Sequence, residues 1–251
     1  FHQAKILIAN WDTFNVGVEM IERLIKSKAF VLDPGISSSS PIQELEKLYG
    51  THVQGTDNWY NFVTSYSERI LSIPHTISMD ELDFTPLTSR KHLFSVIGAP
   101  YPERREAYKL MKRYQKHDAY LLKIRYGLLF RLSDTLSLTD LTNIRDRYFS
   151  TCINSKFCYV SGGPWMYPVR KYFEISARGS VAIGWPCLGF ENFGFIDGVN
   201  FLIAKNNKQI KDLINESSIG ELQQIANNGR DLIIKSHSNI ARASQVISSL
   251  D

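Results

Sequence analysis

The sequence is poor in the features that mark membrane, secreted and metal-binding proteins. It contains only three cysteines, Cys152, Cys158 and Cys187, which cannot all pair and lack the spacing of zinc ligands. No run of about 18 apolar residues could span a bilayer, and the start at Phe1 resembles neither a signal peptide nor a transit peptide. We therefore expect a globular protein of a reducing, cytoplasmic compartment, with Cys152 and Cys158 as small core residues.

Positive charge is concentrated in one part of the chain. The net charge is +4, yet residues 86–131 hold eleven Lys and Arg residues but only three Asp and Glu. Within this region Arg105, Lys109, Lys112 and Lys116 form a basic stripe on a predicted helix. Such a stripe is most often a solvated helix face, and its alternative is a contact with membrane phospholipid or an acidic glycan. Nucleic acid is disfavoured as a partner because the basic residues lack interleaved aromatic motifs.

Predicted strands and helices alternate along most of the 251 residues, which is typical of parallel sheets with helices on both faces. The first block has strands at 4–9, 30–32, near 52 and at 70–73, and helices at 16–26, 41–49 and 58–66. The second block has strands at 92–97, 119–124, 157–161, 180–184 and 200–204, and helices at 103–115, 138–154, 168–178, 208–215, 219–235 and 239–250. Residues 74–86 lack sustained periodicity and are flanked by prolines, which predicts a linker. We expect domains at 1–86 and 87–251, the first one partial. The sequence does not begin with Met, which suggests that it is processed or excised from a longer chain.

The stretch 168–203 places a charged helix, a buried strand and a glycine-rich loop in immediate succession. Pro168 suits the first helical position, Gly179 suits the left-handed residue after the helix, and Arg170, Glu174 and Arg178 share one face. The apolar run 180–184 is typical of a strand that is buried on both sides. Beyond it, Gly189, Gly194 and Gly198 mark a loop whose phenylalanines Phe190, Phe193 and Phe195 could wall a cavity. This order predicts a ligand pocket at the carboxyl end of a parallel sheet.

These residues carry a resemblance to a known family. Glu174-Ile-Ser-Ala-Arg-Gly-Ser-Val-Ala resembles the Glu-Ala-Met-Ala-Cys-Gly-x-Pro-Val segment of group-1 glycosyltransferases with the GT-B fold. The longer string from Arg170 to Gly179, the segment 189–198, the run 222–231 and Ser236-His237 are similar to a branch of spore-maturation and surface-polysaccharide glycosyltransferases. The resemblance is firm from 91 to 250. It implies an α/β protein of two Rossmann-like domains, the second of which binds a nucleotide-sugar donor.

The resemblance also implies roles for individual residues. Glu174 matches the glutamate that accepts hydrogen bonds from the donor's sugar hydroxyls, for which an ionised carboxylate is suited. The donor's diphosphate is expected at two close-approach loops and the cations beside them: Gly98, Arg104 or Arg105, Gly162, Gly163, Arg170 and Lys171. Phe190, Glu191 and Asn192 are further candidates for donor contacts. The acceptor would be a glycan, a lipid or a protein. No cofactor or metal is expected, since Asp-x-Asp motifs and His/Cys clusters are absent.

Simpler interpretations compete with several of these roles. Arg170, Glu174 and Arg178 stand four residues apart, which is also the spacing of an ordinary exposed ion pair, and we retain that interpretation for Arg178. Glu191 could equally cap a helix. His75 lies at the presumed cleft between the domains and is the one histidine that we consider catalytic; no general base is identified by a motif.

One departure from the family pattern leaves the mechanism open. Many retaining members have a second glutamate eight positions before the equivalent of Glu174, and Met166 stands there in this chain. Retention or inversion is therefore not assigned, and a catalytically silent GT-B module that binds a glycan or partner protein is the alternative. A dehydrogenase or epimerase is disfavoured, because no Gly-x-Gly-x-x-Gly follows the strand 4–9.

Overall fold

The computed structural model describes residues 7–9, 18–27, 30–33, 61–62, 65–98, 101–114, 138–163 and 166–250. The strands are β1 (Leu7–Ala9), β2 (Phe30–Asp33), β3 (Ile70–Ser72), β4 (His92–Val96), β5 (Ser155–Val160), β6 (Val181–Gly184) and β7 (Leu202–Ile203). The helices are α1 (Val18–Ser27), α2 (Pro102–Tyr114), α3 (Leu138–Asn154), α4 (Lys171–Ala177), α5 (Asn207–Glu216), α6 (Ile219–Leu232) and α7 (Asn239–Leu250). A π-helical turn, Ile233–His237, joins α6 to α7.

The strands form two parallel sheets. The first sheet has the order β1-β2-β3 and the second has the order β4-β5-β6-β7. In the second sheet Phe157 of β5 pairs with Phe94 of β4 on one side and with Val181 of β6 on the other. This α/β architecture with parallel sheets flanked by helices is the predicted fold class. Where the boundary between two domains falls stays a prediction.

Both faces of the second sheet are buried, as its apolar strands predict. Successive side chains of a strand point to opposite faces. Phe157 and Tyr159 therefore join the core beneath α2, α5 and α6, while Cys158 and Val160 join the core beneath α3 and α4. Cys152, Cys158 and Cys187 are free and buried in the same core cluster, where Cys152 and Cys158 were predicted as small core residues.

The segment 73–90 packs against the unit built on the second sheet. Ile77 donates from its amide to the carbonyl of His237 at 3.0 Å and accepts from the amide of Asn239 at 2.8 Å. Further along, Arg90 is 4% exposed and donates to the carbonyls of Cys152, Ser155 and Arg178. The segment 73–90 is therefore anchored near both of its ends to the unit built on the second sheet, and the role of residues 74–86 as a linker stays a prediction.

Most predicted elements of the second block are present, with shifts of one to three residues at their ends. The helices at 138–154 and 239–250 have the predicted bounds. The helix predicted at 168–178 begins three residues later, at Lys171, and the helix predicted at 219–235 widens into the π-helical turn after Leu232. Gly179 has φ +65° directly after α4, as expected for a left-handed helix end. The predicted elements at 41–49, near 52 and at 119–124 lie outside the described residues.

Candidate functional site

The carboxyl ends of β4 and β5 bring two loops and the start of α4 together. Gly98 follows β4 with φ +119°, a conformation that favours glycine. A Cβ atom on Gly98 would lie 2.0 Å from Nζ of Lys171 and 3.0 Å from a terminal nitrogen of Arg104. The absence of a side chain at Gly98 therefore leaves room for two cationic groups at the sheet edge.

Lys171 and Arg104 are partly stripped of water at this position. Nζ of Lys171 donates to the carbonyl of Ile97 at 3.1 Å and lies 5.7 Å from the ring centre of Tyr148. Burial, and secondly the charge of Arg104, lower the pKa of Lys171 to about 7. Arg104 is 4% exposed and donates to the carbonyl of Ser161 at 2.9 Å, and burial lowers its pKa. An anion placed beside both groups would favour their charged forms.

Glu174 lies one turn along α4 from this pair of cations, and it is 6% exposed. Its Oε2 accepts a hydrogen bond of 2.8 Å from the hydroxyl of Tyr148 on α3, and its Oε1 lies 3.1 Å from a guanidinium nitrogen of Arg170. The pKa of the Tyr148 hydroxyl is raised, mainly by burial and further by the adjacent carboxylate, so this group remains a donor. The carboxylate is therefore fixed in direction and keeps free acceptor capacity.

The charged face of α4 is covered by the segment 73–90. Glu81 lies 2.5 Å from Arg170 through Oε1 and 3.0 Å from Arg178 through Oε2. Arg178 is 4% exposed, and its guanidinium carbon lies 3.5 Å from the ring centre of Phe149. The interpretation of Arg178 as a member of an ordinary exposed ion pair was wrong, because its partner comes from the predicted linker and the pair is mostly buried.

His75 lies beside the same helix. Its ring contacts those of Tyr167 and Phe173 at centroid distances of 6.5 and 6.4 Å. Burial, with a further contribution from the charge of Arg170, lowers the pKa of His75 to about 4, so the imidazole is neutral at pH 7. The structure places it next to the Arg170 side of the site, and its catalytic role stays a prediction.

The second glycine loop, after β5, is also tightly packed. A Cβ on Gly162 would lie 2.3 Å from the backbone of Met166, and one on Gly163 would lie 2.8 Å from the ring of Tyr101. Met166 itself has φ +45°, which is uncommon for a residue with a side chain. Its amide donates to the carbonyl of Gly163 and its carbonyl accepts from the amide of Leu188. These contacts fix the loop backbone at the sheet edge next to α4.

Arg105 lines a groove whose walls contain none of Gly98, Arg104, Lys171 and Glu174. It is exposed, and the groove of about 900 Å³ lies between the beginnings of α2 and α5, where Glu106, Lys109, Trp185 and Lys205 also line it. Lys109, another member of the predicted basic stripe, lies 2.5 Å from Glu106. Of the two adjacent arginines, Arg104 is the one that lies beside Gly98 and Lys171.

Of the three loop phenylalanines predicted to wall a cavity after β6, Phe190 and Phe195 belong to the core, and Phe193 lines a pocket beside the π-helical turn. Phe190 is 7% exposed and packs against Phe195 and Phe201 at centroid distances of 5.3 and 4.9 Å, so the ring belongs to the core. Phe193 and Phe195 are buried in the same cluster. Glu191 and Asn192 are exposed, and the carbonyl of Glu191 accepts from the amide of Gly194 within a turn. Their donor contacts stay predictions.

The sequence-based prediction did not include two residues that contact the site. Tyr148 holds Glu174, and Glu81 holds Arg170 and Arg178. The first could have been inferred from its position on the same helix face as buried Cys152; the second had no local signal. Within the described ranges, no group of three His, Cys, Asp or Glu side chains is arranged to hold a metal ion. None of the described helices combines the length and apolarity that crossing a bilayer requires.

No protein-family model matches the chain, and no curated protein does so either. Solved GT-B glycosyltransferases are similar to it in structure. Anabaena HepE in complex with UDP-glucose has a TM-score of 0.58 at 10% identity, over 98% of this chain and 72% of that chain. HepE in complex with UDP has a TM-score of 0.56 at 10% identity, over 97% and 78%. The chain shares their fold. Sucrose-phosphate synthase from Thermosynechococcus elongatus has a TM-score of 0.53 at 13% identity, over 97% of this chain and 67% of that chain.

Proposed function

We propose that this chain is a glycosyltransferase that moves a sugar from a nucleotide-sugar donor to a glycan, lipid or protein acceptor. The observation that carries the proposal is the convergence of Gly98, Arg104 and Lys171 at one sheet edge, with the buried carboxylate of Glu174 one helical turn away. Nucleotide sugars combine a diphosphate with a polyhydroxylated ring, and these two parts need cations and hydrogen-bond acceptors respectively. The complex of HepE with UDP-glucose supports this donor class.

Each group has a defined task in this proposal. Arg104 and Lys171 neutralise the diphosphate, and they stabilise the charge that develops on it as the glycosidic bond breaks. Glu174 accepts hydrogen bonds from hydroxyls of the transferred sugar, while Tyr148 and Arg170 fix the direction of its carboxylate. Gly98 gives the diphosphate close access to the backbone at the end of β4.

We further propose that the reaction needs no divalent metal. In this proposal Arg104 and Lys171, which lie together beside Gly98, supply the charge compensation that a metal supplies in other transferases. This predicts that a chelator such as EDTA leaves donor binding and turnover unchanged. A loss of turnover on chelation that Mg²⁺ or Mn²⁺ restores would reject metal independence.

The spore-maturation and surface-polysaccharide branch remains our proposed assignment within the fold. Met166 supports the alternative of a catalytically silent module, because it replaces a glutamate that many retaining members have. Peripheral contact with a membrane or an acidic glycan through Arg105 and Lys109 also remains a proposal. The side chains of Arg105 and Lys109 are both exposed on α2.

The position of the donor's diphosphate can be tested by substituting each of two adjacent arginines, Arg104 and Arg105. Nucleoside mono- and diphosphates and their sugar conjugates would be titrated calorimetrically into the wild type, Arg104→Gln and Arg105→Gln. We expect Arg104→Gln to weaken diphosphate binding by about tenfold or more, as for loss of a charged hydrogen bond, and Arg105→Gln to leave it within about twofold. Equal losses in both variants would contradict the assigned diphosphate position.

The role of Glu174 and the catalytic proposal need separate measurements. Glu174→Ala should bind the free nucleoside diphosphate nearly as well as the wild type but lose affinity for the sugar conjugate; unchanged affinity for the conjugate would reject the assignment of Glu174. Transfer to an acceptor or hydrolysis of the bound donor by the wild type would identify an enzyme. Tight donor binding with neither reaction would favour the silent module.

A further inference from the structure

A second pocket, of about 560 Å³, lies where the loop after β6 meets the π-helical turn and α7. Its lining contains two cationic side chains, Lys235 and Arg242, and no carboxylate. The lining also includes Asn192, Phe193, Ser236, His237 and Gln245. The pocket shares no lining residue with the cluster of Gly98, Arg104, Lys171 and Glu174.

Arg242 is a buried charge that has no counter-ion within the described part of the chain. It is 7% exposed, and its guanidinium donates to Oε1 of Gln245 and, at 2.5 Å, to Nδ1 of His237. Its Nε is fully buried and has no hydrogen-bond partner. Among the described residues no carboxylate forms an ion pair with Arg242, and burial lowers its pKa to about 10. Three of the five N–H donors of this guanidinium are therefore unused.

His237 does not compensate this charge. Because its Nδ1 accepts from Arg242, its Nε2 carries the proton and donates to the carbonyl of Phe193 at 2.7 Å. The ring stacks on Phe195 with an interplanar angle of 6°. Burial and the charge of Arg242 lower the pKa of His237 to about 4, so the imidazole is neutral. The neutral His237 ring thus orients the guanidinium of Arg242 through a hydrogen bond but does not neutralise its charge.

Other buried arginines of this chain are compensated differently. Arg90 lies 3.4 Å from Asp83, and Arg178 lies 3.0 Å from Glu81. No carboxylate of the described residues pairs with Arg230 either, but the ring of Phe84 covers it at 4.4 Å, and it lines neither of the two pockets described above. A fifth buried arginine, Arg104, belongs to the proposed donor site. Of the other four, Arg242 is the one that has no carboxylate partner among the described residues and also lines a pocket.

We infer that this pocket is an anion site that binds a phosphate group, separate from the donor site. A buried cation with no counter-ion is strongly unfavourable, and a bound oxyanion would supply one. The planar guanidinium matches the spacing of phosphate oxygens, and Lys235 supplies a second positive charge at the exposed side. Asn192, Ser236 and Gln245 offer polar groups for the remaining oxygens.

The test uses inorganic phosphate and calorimetry. Since phosphate would also be attracted to Lys171, every protein carries Lys171→Met, which removes that cation from the donor site. Gln245→Glu places a carboxylate where Gln245 already accepts from Arg242, and it therefore supplies an internal counter-ion. Gln224→Glu adds the same charge to an exposed glutamine of α6 that bonds to Asn228 and lies outside the pocket lining.

We expect the Lys171→Met protein to bind phosphate, and Gln245→Glu to weaken that binding by about tenfold or more. Gln224→Glu should stay within about twofold, and Gln245→Glu should unfold at the same temperature as its parent or a higher one. The inference is overturned if the Lys171→Met protein does not bind phosphate, or if both glutamate variants bind it equally. Neither result would bear on nucleotide-sugar binding by the wild type, so the two proposals fail independently.

Discussion

The hydroxyl of Tyr148 donates a hydrogen bond of 2.8 Å to Oε2 of Glu174. Tyr148 is on α3, which precedes β5 in the chain, and Glu174 is on α4, which follows it. The same tyrosine ring lies 5.7 Å from the ammonium group of Lys171. One buried side chain thus contacts both the carboxylate proposed to hold the sugar and the cation proposed to hold the diphosphate. Tyr148 therefore lies between the proposed sugar-binding and diphosphate-binding parts of the donor site.

Replacing Tyr148 by phenylalanine should affect the sugar half of the site more than the phosphate half. Tyr148→Phe keeps the ring beside Lys171 but removes the hydrogen bond that directs Glu174. We expect affinity for the sugar conjugate to fall by about fivefold to tenfold, while affinity for the free diphosphate stays within about twofold. Calorimetric titration of both ligands measures this ratio.

The stability of the same variant gives a second readout. We expect Tyr148→Phe to lower the free energy of unfolding by about 1–2 kcal/mol, since a buried carboxylate loses a hydrogen bond. Tyr66→Phe is a suitable control, because Tyr66 packs against Phe62 in the first unit, away from Glu174. A uniform loss of affinity for both ligands would indicate general disorder of the site and contradict the directing role of Tyr148.

Glu81 is predicted to stabilise the fold through α4. Glu81→Gln leaves Arg178, which is 4% exposed, without its ion-pair partner. We expect the free energy of unfolding to fall by about 2–4 kcal/mol, because breaking a largely buried pair leaves an uncompensated charge. Denaturant unfolding of Glu81→Gln and of Glu68→Gln, an exposed control in the 67–69 turn, measures the difference. Similar midpoints for both variants would refute the bridging role.

Gly98, at the end of β4, should tolerate a side chain poorly, chiefly because of its positive φ. Gly98→Ala would place a methyl group 2.0 Å from Nζ of Lys171 at φ +119°, so we expect both lower stability and weaker diphosphate binding. Gly220→Ala is the matched change, since a Cβ there has open space and alanine favours the helix. We expect that control to be as stable as the wild type or up to about 1 kcal/mol more stable. Thermal unfolding and diphosphate titration of both variants decide the matter.

Local sequence pattern was sufficient for most of the second sheet and its helices. Strand β6 is a continuous apolar run because it is buried on both faces, and helices α3 and α7 begin and end at their predicted residues. Gly98, Arg104, Lys171 and Glu174 were all candidates from the sequence, and the structure brings them to one edge. Spacing along a helix and position at a strand end are local properties that sequence expresses directly.

Contacts between segments that are distant in sequence could not be predicted from local pattern. Tyr148 and Glu174 are 26 positions apart, and Glu81 and Arg178 are 97 apart, so neither pairing follows from helical spacing. The charged face of α4 looked solvent-exposed because nothing in residues 74–86 showed that they fold over it. Phe190 looked like a cavity wall because a loop phenylalanine does not reveal from sequence whether its ring turns inward, as it does here against Phe195 and Phe201.

The pH dependence of diphosphate binding should report the ionisation of Lys171. In the folded, unliganded chain its pKa is about 7, and in the unfolded chain it is near 10.5. Between these values the unfolded chain holds a proton that the folded chain lacks, so the contribution of Lys171 to the free energy of unfolding rises with pH.

The affinity for diphosphate changes in the opposite direction and falls as pH rises, because only the charged ammonium attracts phosphate. We expect affinity to fall by up to about tenfold per pH unit from pH 7.5 to 9, with proton uptake on binding visible as a buffer-dependent enthalpy. Lys171→Met should bind more weakly and lose this slope; a slope that persists in the variant would assign the titration to another group.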